Sequence, residues 1–357
     1  MYLDVEELRD KAERGGSTEE LELAVYLLQE NKKQNDVDYQ REAVNLLKGL
    51  VQNRQPLAEA QYYLAECYGS GMEGLDINHD QALNLYVQAS KQNHPEATFR
   101  AAKCYEYGIG TRKDKNRATK FYRKAAALGE PLSMHKLALI LLGEKEKNPK
   151  TYKEGFTWLK RAAMLETPDP ESVYHLASQY EPNKSRFVIP DERYAFELYM
   201  KAAELGSGAA QYRVGECYDY GLLYQQPDPH KAFEWYSKAA LLGYSEAEFA
   251  MSGWYLTGSD FLEQDDNEAY IWAKKAADKE FPKAEYVVGE YSEKGIGVEK
   301  SLDEAIKWYI RAAAHGNKKA RNRLAELKEE GTEIKAFIEK SANTKKKLSN
   351  KAECVVQ

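Results

Sequence analysis

Apolar positions in this chain recur as a phrase: an aromatic or aliphatic pair, a basic residue, then Ala-Ala. The full copies are Phe121-Tyr122-Arg123-Lys124-Ala125-Ala126, Trp158-Leu159-Lys160-Arg161-Ala162-Ala163, Leu198-Tyr199-Met200-Lys201-Ala202-Ala203, Trp235-Tyr236-Ser237-Lys238-Ala239-Ala240, Trp272-Ala273-Lys274-Lys275-Ala276-Ala277 and Trp308-Tyr309-Ile310-Arg311-Ala312-Ala313. A degenerate copy, Tyr86-Val87-Gln88-Ala89-Ser90, precedes them. The first alanines stand at 89, 125, 162, 202, 239, 276 and 312, in steps of 36, 37, 40, 37, 37 and 36 residues. A period in this range predicts stacked supersecondary units, none of which buries its apolar faces alone.

Within one period, Ala97, Ala101, Ala102, Cys104 and Tyr105 follow helical spacing, and the run ends at Tyr107-Gly108. Glycine just past the last periodic residue is a helix stop, because it tolerates a left-handed backbone. Gly110 continues a tight loop, and Asp114 to Asn116 start a second helix carrying Ala118, Phe121, Tyr122, Ala125 and Ala126. Gly129 stops it. The stop glycine recurs at 71, 108, 221, 258 and 295, and a small residue opens the second helix at 82, 118, 155, 195, 232, 269 and 305. Small residues there let helices approach while the aromatics fill the groove between them.

The predicted fold is all-α: an α-solenoid, a right-handed superhelix of about seven helix-turn-helix repeats. Residues 1–55 are expected to form an N-terminal helical cap or degenerate repeat, with apolar stripes in Leu21 to Leu28 and Ala43 to Val51. Residues 56–330 form the solenoid, closed by a helix over Lys318 to Glu329 with Leu324, Ala325 and Leu327 facing the last repeat. Residues 331–357 form a flexible basic tail. Two units depart from the pattern, one with an early Gly143 and a polar stretch from Glu144 to Lys153, the other with a loop lengthened through Pro182 to Pro190.

Composition narrows the function. The formal net charge of −6 and the lack of a basic stripe argue against nucleic acid as a partner. The charged N-terminus does not read as a secretory signal, and the longest aliphatic run, Leu137 to Leu142, is far short of the roughly 18 residues of a membrane span. The body is expected to be soluble and cytosolic. Cys67, Cys104 and Cys217 each precede a tyrosine at equivalent repeat positions, so they read as small buried apolar residues and not as a disulfide set.

Catalytic patterns fall away on context. Gly69-Ser70-Gly71-Met72-Glu73-Gly74 matches G-x-G-x-x-G, but it follows a helix and not a strand. Asp36-Val37-Asp38 sits in what reads as a polar linker, and Asp265-Asp266 reads as a helix start. The histidines lack H-E-x-x-H spacing and no Cys-x-x-Cys exists. No catalytic, cofactor-binding or metal-binding residue is expected, and no cofactor.

The set Ala97, Gly108, Gly110, Ala118, Tyr122, Lys124, Ala125, Ala126 and Gly129 resembles the Sel-one-like repeat, a relative of the tetratricopeptide repeat. That family implies a scaffold that binds other proteins. Two stretches are similar to the fungal chitin synthase regulatory factors: Glu106 to Asp114 with Phe121 to Ala127, and Asp266 to Ala277 with Lys283 to Gly289. This resemblance implies a non-catalytic activator of a chitin synthase at the septum or bud neck. Larger members carry a long polar N-terminal region that this sequence does not show.

The tail adds a second signal. Cys354-Val355-Val356-Gln357 fits the C-a-a-X prenylation box, and the final glutamine favours farnesyl on Cys354. Lys345, Lys346, Lys347 and Lys351 lie just upstream. One lipid chain alone binds membranes marginally, and each nearby lysine adds about 1 kcal/mol on an anionic leaflet. The expectation is a solenoid tethered to the cytoplasmic face of the plasma membrane or septum, with a membrane chitin synthase as partner and a prenyltransferase acting on the tail. The alternative is a general repeat adaptor in signalling or protein quality control.

Overall fold

The computed structural model describes residues 5–34, 37–72, 75–143, 149–185 and 187–329. They form 18 α-helices and, apart from one isolated bridge between Met72 and Leu75, no β-structure. The chain divides into two compact units, Met1–Ser172 and Val173–Gln357. In the first, α1 (Val5–Arg14), α2 (Ser17–Gln34) and α3 (Val37–Gln52) precede three helix pairs. Two of these are α4 (Ala58–Ser70) with α5 (His79–Lys91), and α6 (Pro95–Tyr107) with α7 (Lys115–Ala127). The third is α8 (Pro131–Gly143) with α9 (Pro149–Ala163). The boundary falls in α10 (Pro170–Tyr180).

The second unit continues with α11 (Glu192–Glu204), then the pairs α12 (Gly208–Tyr220) and α13 (Pro229–Leu241), α14 (Ser245–Thr257) and α15 (Asp266–Asp278), and α16 (Pro282–Lys294) and α17 (Leu302–Ala314). A lone helix, α18 (Lys318–Glu329), follows. The second helix of a pair also packs on the first helix of the next, as α13 does on α14 and α15 on α16. The all-α repeat predicted from the period is thus present.

Local signals act as their chemistry dictates. The second helices start on side-chain caps: Asn78, Asp114, Asp191, Asp228, Asp265 and Ser301 each accept a hydrogen bond from a backbone N–H in the first turn. Asp265-Asp266 is therefore a cap and first residue. Gly108, Gly221 and Gly295 end first helices in the left-handed conformation. Gly71 and Gly258 have positive φ but extended ψ, because the chain there turns directly into a tight loop, closed in one case by Ser259 N–H to the Leu262 carbonyl at 2.7 Å.

Several expectations need correction. Asp38 lies in the first turn of α3 and pairs with Arg41 at 3.3 Å, so it is not in a linker; Asp36 lies outside the described residues. The polar stretch of the third repeat runs into α9, since a helix resumes at Pro149. In α18 the buried face is Ala320, Leu324 and Leu327, spaced by four and three residues, and it leaves Ala325 exposed. At the N-terminus one continuous core runs from Leu8 through Cys104, so α1 to α3 add to the first repeats without the Ala-Ala phrase.

Candidate protein-binding site

The tyrosine three positions before the first alanine of the phrase points inward. Tyr86, Tyr122, Tyr199, Tyr236 and Tyr309 are buried, and each phenol donates to an acidic residue near the end of the preceding first helix. The acceptors are Glu66, Glu106 at 2.5 Å, Glu181 at 2.5 Å, Asp219 at 3.2 Å and Glu293 at 2.6 Å. Burial, reinforced by these carboxylates, pushes all five phenols above their ordinary value.

Three of the acids also receive a guanidinium from the next first helix. Arg100 grips Glu66 through Nε and Nη2, both at 3.0 Å. Arg213 holds Glu181 at 3.1 and 2.9 Å, and Arg323 holds Glu293 through the same two nitrogens. These side-on bidentate pairs tie one repeat to the next with directional, charge-assisted bonds. Hydrogen bonding from Arg323 holds the Glu293 carboxyl below the usual carboxylate range.

The basic residue of the phrase has a separate task. Arg161, Lys238, Lys275 and Arg311 lie over the rings of Trp158, Trp235, Trp272 and Trp308, three positions earlier on the same helix, at 5.5, 4.1, 3.7 and 4.4 Å. Each is a cation–π contact made by adjacent turns.

The arginine register breaks within the second unit. Arg100, Arg213 and Arg323 are each the sixth residue of their helix; in α14 and α16 that residue is Ala250 and Val287. A groove of about 670 Å³ opens there among α12, α14 and α16. Its wall is aromatic, with Tyr212, Tyr220, Phe249, Trp254 and Tyr291, and it carries Asp219, Glu246 and Glu290 against Lys283 and Lys294. Lys294 is engaged by Glu290 at 3.4 Å. Gly253 adds to the opening. A Cβ at that helical glycine would meet nothing within 4 Å, so packing does not require it. By contrast, a Cβ at Gly215 or Gly289 would strike the ring of Tyr236 or Tyr309.

A model of the Sel1 repeat matches seven consecutive segments: 58–94, 95–130, 131–166, 170–207, 208–244, 245–281 and 282–317. The chain belongs to the Sel1 repeat family. Chitin synthase regulatory factor 3 of Schizosaccharomyces pombe is 36% identical over 296 residues, covering 81% of this chain and 31% of the relative. Chitin synthase regulator SKT5 of Saccharomyces cerevisiae is 34% identical over 301 residues, covering 82% of this chain and 43% of the relative. The family resemblance read in the sequence is borne out, and the chain spans less than half the length of either relative. A crystal structure of a Sel1 repeat protein from Oxalobacter formigenes superposes with a TM-score of 0.65 at 24% identity, covering 90% of each chain, which supports the fold.

In this Sel1 repeat array the residues singled out by sequence separate clearly. Cys67, Cys104 and Cys217 are buried and reduced, with burial pushing their thiols up to about 12, 11 and 12. Gly69 and Gly71 of the G-x-G-x-x-G match stand at the C-terminal end of α4, with Gly71 as its cap, and Gly74 lies outside the described residues. Cys354, Val355, Val356, Gln357, Lys345, Lys346, Lys347 and Lys351 lie outside the described residues. Among the described residues no helix is long and apolar enough to cross a membrane, and no cluster of His, Cys, Asp or Glu is placed to hold a metal ion. The groove itself was not read from sequence, although aligning first helices on their sixth residue sets Ala250 and Val287 against the arginines of α6, α12 and α18.

Proposed function

We propose that the chain is a non-catalytic regulator of a chitin synthase, binding a cytoplasmic part of the synthase through its Sel1 repeats. The observation that carries this reading is the 34–36% identity to two proteins named as regulators of chitin synthase, extending over about four fifths of the chain. The repeats supply a built surface for a protein partner, as stacked helix pairs generally do. The tail supplies the address: farnesyl on Cys354 of the box Cys354-Val355-Val356-Gln357, assisted by Lys345, Lys346, Lys347 and Lys351, holds the chain on the cytoplasmic face of the plasma membrane or septum. Sharing a membrane raises the effective concentration of regulator and synthase, so a modest contact suffices.

Two measurements test the reading. Removing the protein from cells should lower membrane chitin synthase activity and disturb septum formation; unchanged activity and septa would reject the regulator. Cys354→Ser should move the protein from the membrane to the soluble fraction, and identical fractionation of both forms would reject the anchor.

A further inference from the structure

Asp219 and Tyr236 repeat, in the fifth Sel1 repeat, the arrangement that Glu66 and Tyr86, Glu181 and Tyr199, and Glu293 and Tyr309 make in the first, fourth and seventh. In those three the carboxylate is completed by an arginine from the sixth position of the next first helix. In the fifth the sixth position of α14 is Ala250, which faces the same groove as Asp219 and Tyr236. Among the described residues Asp219 has the phenols of Tyr236 and Tyr220 as partners and no cation within ion-pair distance. The molecule therefore shows three times what such a site accepts; Glu106, for which α8 carries Lys136 at its sixth position, and Asp219 go without the arginine, and beside Asp219 the groove stands in its place.

The rest of the groove fits the same ligand. Tyr212, Phe249 and Trp254 line it, and aromatic rings are what a guanidinium packs against. Glu246 adds negative charge. Gly253 keeps the floor clear although glycine within a helix is unfavourable. One repeat further on, all three members of the triad are apolar or small: Leu256 at the acid's position, Ala273 at the tyrosine's and Val287 at the arginine's. Leu256, Val287 and Ile296 line the groove beyond Asp219, giving it an apolar end.

We propose that this groove binds an extended segment of a partner protein by taking an arginine side chain onto Asp219 and Tyr236, with a large apolar residue of the same segment against Leu256, Val287 and Ile296. The arginine replaces in trans the one that Ala250 omits. The proposal deepens the regulator reading by naming a site and the chemistry of its ligand, but its test does not depend on the synthase.

Random short peptides displayed on phage are selected on the purified full chain, and the enriched sequences are synthesised for fluorescence-polarisation titration. Enrichment of arginine beside an apolar residue is expected. Replacing that arginine by citrulline, which keeps the shape and removes the charge, should weaken binding at least about tenfold, the scale of a lost charge-assisted pair. Ala250→Arg restores the chain's own triad, so it should abolish binding while leaving the melting temperature equal or higher; Asp219→Asn should weaken binding at unchanged helicity. Peptides without arginine, lysine enriched as strongly as arginine, or binding that survives Ala250→Arg would each overturn the proposal. Concentration-dependent self-association that Ala250→Arg removes would overturn it too, assigning the groove to a second copy. If the peptide result holds while loss of the protein leaves synthase activity intact, the groove stands and the synthase reading falls.

Discussion

Tyr199 and Arg213 meet on one carboxylate, but they do not contribute equally to it. Glu181 is 6% exposed, and its charge is compensated chiefly by the two guanidinium bonds. Removing one partner of a buried ion pair strands the other, whereas removing a neutral donor costs one hydrogen bond. Arg213→Ala should therefore lower stability by about 3 kcal/mol, and Tyr199→Phe by about 1 kcal/mol, read from urea unfolding followed by helical ellipticity. Equal losses would mean that Glu181 is hydrated despite its burial. The tryptophan-covering lysines are more exposed, and Lys238 also reaches Glu234 at 2.7 Å, so Lys238→Met should cost under about 1 kcal/mol by the same measurement.

At the scale of the element, glycines that look alike in sequence do different work. Gly297 has φ 63°, and a Cβ there would lie 1.9 Å from the Asp266 carbonyl oxygen, where the loop after α16 presses on the start of α15. Gly316 has φ 93° with nothing within 4 Å. Gly316→Ala carries backbone strain alone, about 1 kcal/mol, while Gly297→Ala must also displace the loop and should cost clearly more in thermal melting. Gly253→Ala runs the other way: in open helix it should stabilise by about 1 kcal/mol and narrow the groove. The repeating parts of this were legible in the sequence, because seven copies multiply weak signals such as Asp114 as a cap and Gly108 as a stop. The triads were not, since their acid and arginine are 30 to 34 residues apart and the acid shifts register. Glu66 serves Tyr86 from one helical turn earlier than Glu106 serves Tyr122. Only the fold brings these positions together, and the groove is visible only against them.

Across the whole molecule the buried phenols make the fold sensitive to alkali. A phenol raised above its ordinary value of 10.0 in the folded chain stays neutral when its unfolded counterpart ionises. Its contribution is complete below pH 10 and declines as pH rises beyond it. Helicity should thus fall above about pH 10, in step with phenolate absorbance; phenolate appearing fully before any loss of helicity would contradict the buried ladder. Glu293 acts at the other end. Its lowered value means that its contribution is present above the ordinary carboxylate range and lost as pH falls through the folded value, so Glu293→Gln should flatten the acid limb of a stability profile.

The three repeat cysteines carry a consequence for following the chain in solution. Their thiols are enclosed and held protonated at neutral pH, and the thiolate is the form that alkylating reagents attack. Any maleimide taken up by the folded protein must then sit on Cys354, while unfolding releases three more sites. Label incorporation becomes a count of free C-terminal thiol, and a chain isolated with its tail already modified would take up none until it is denatured.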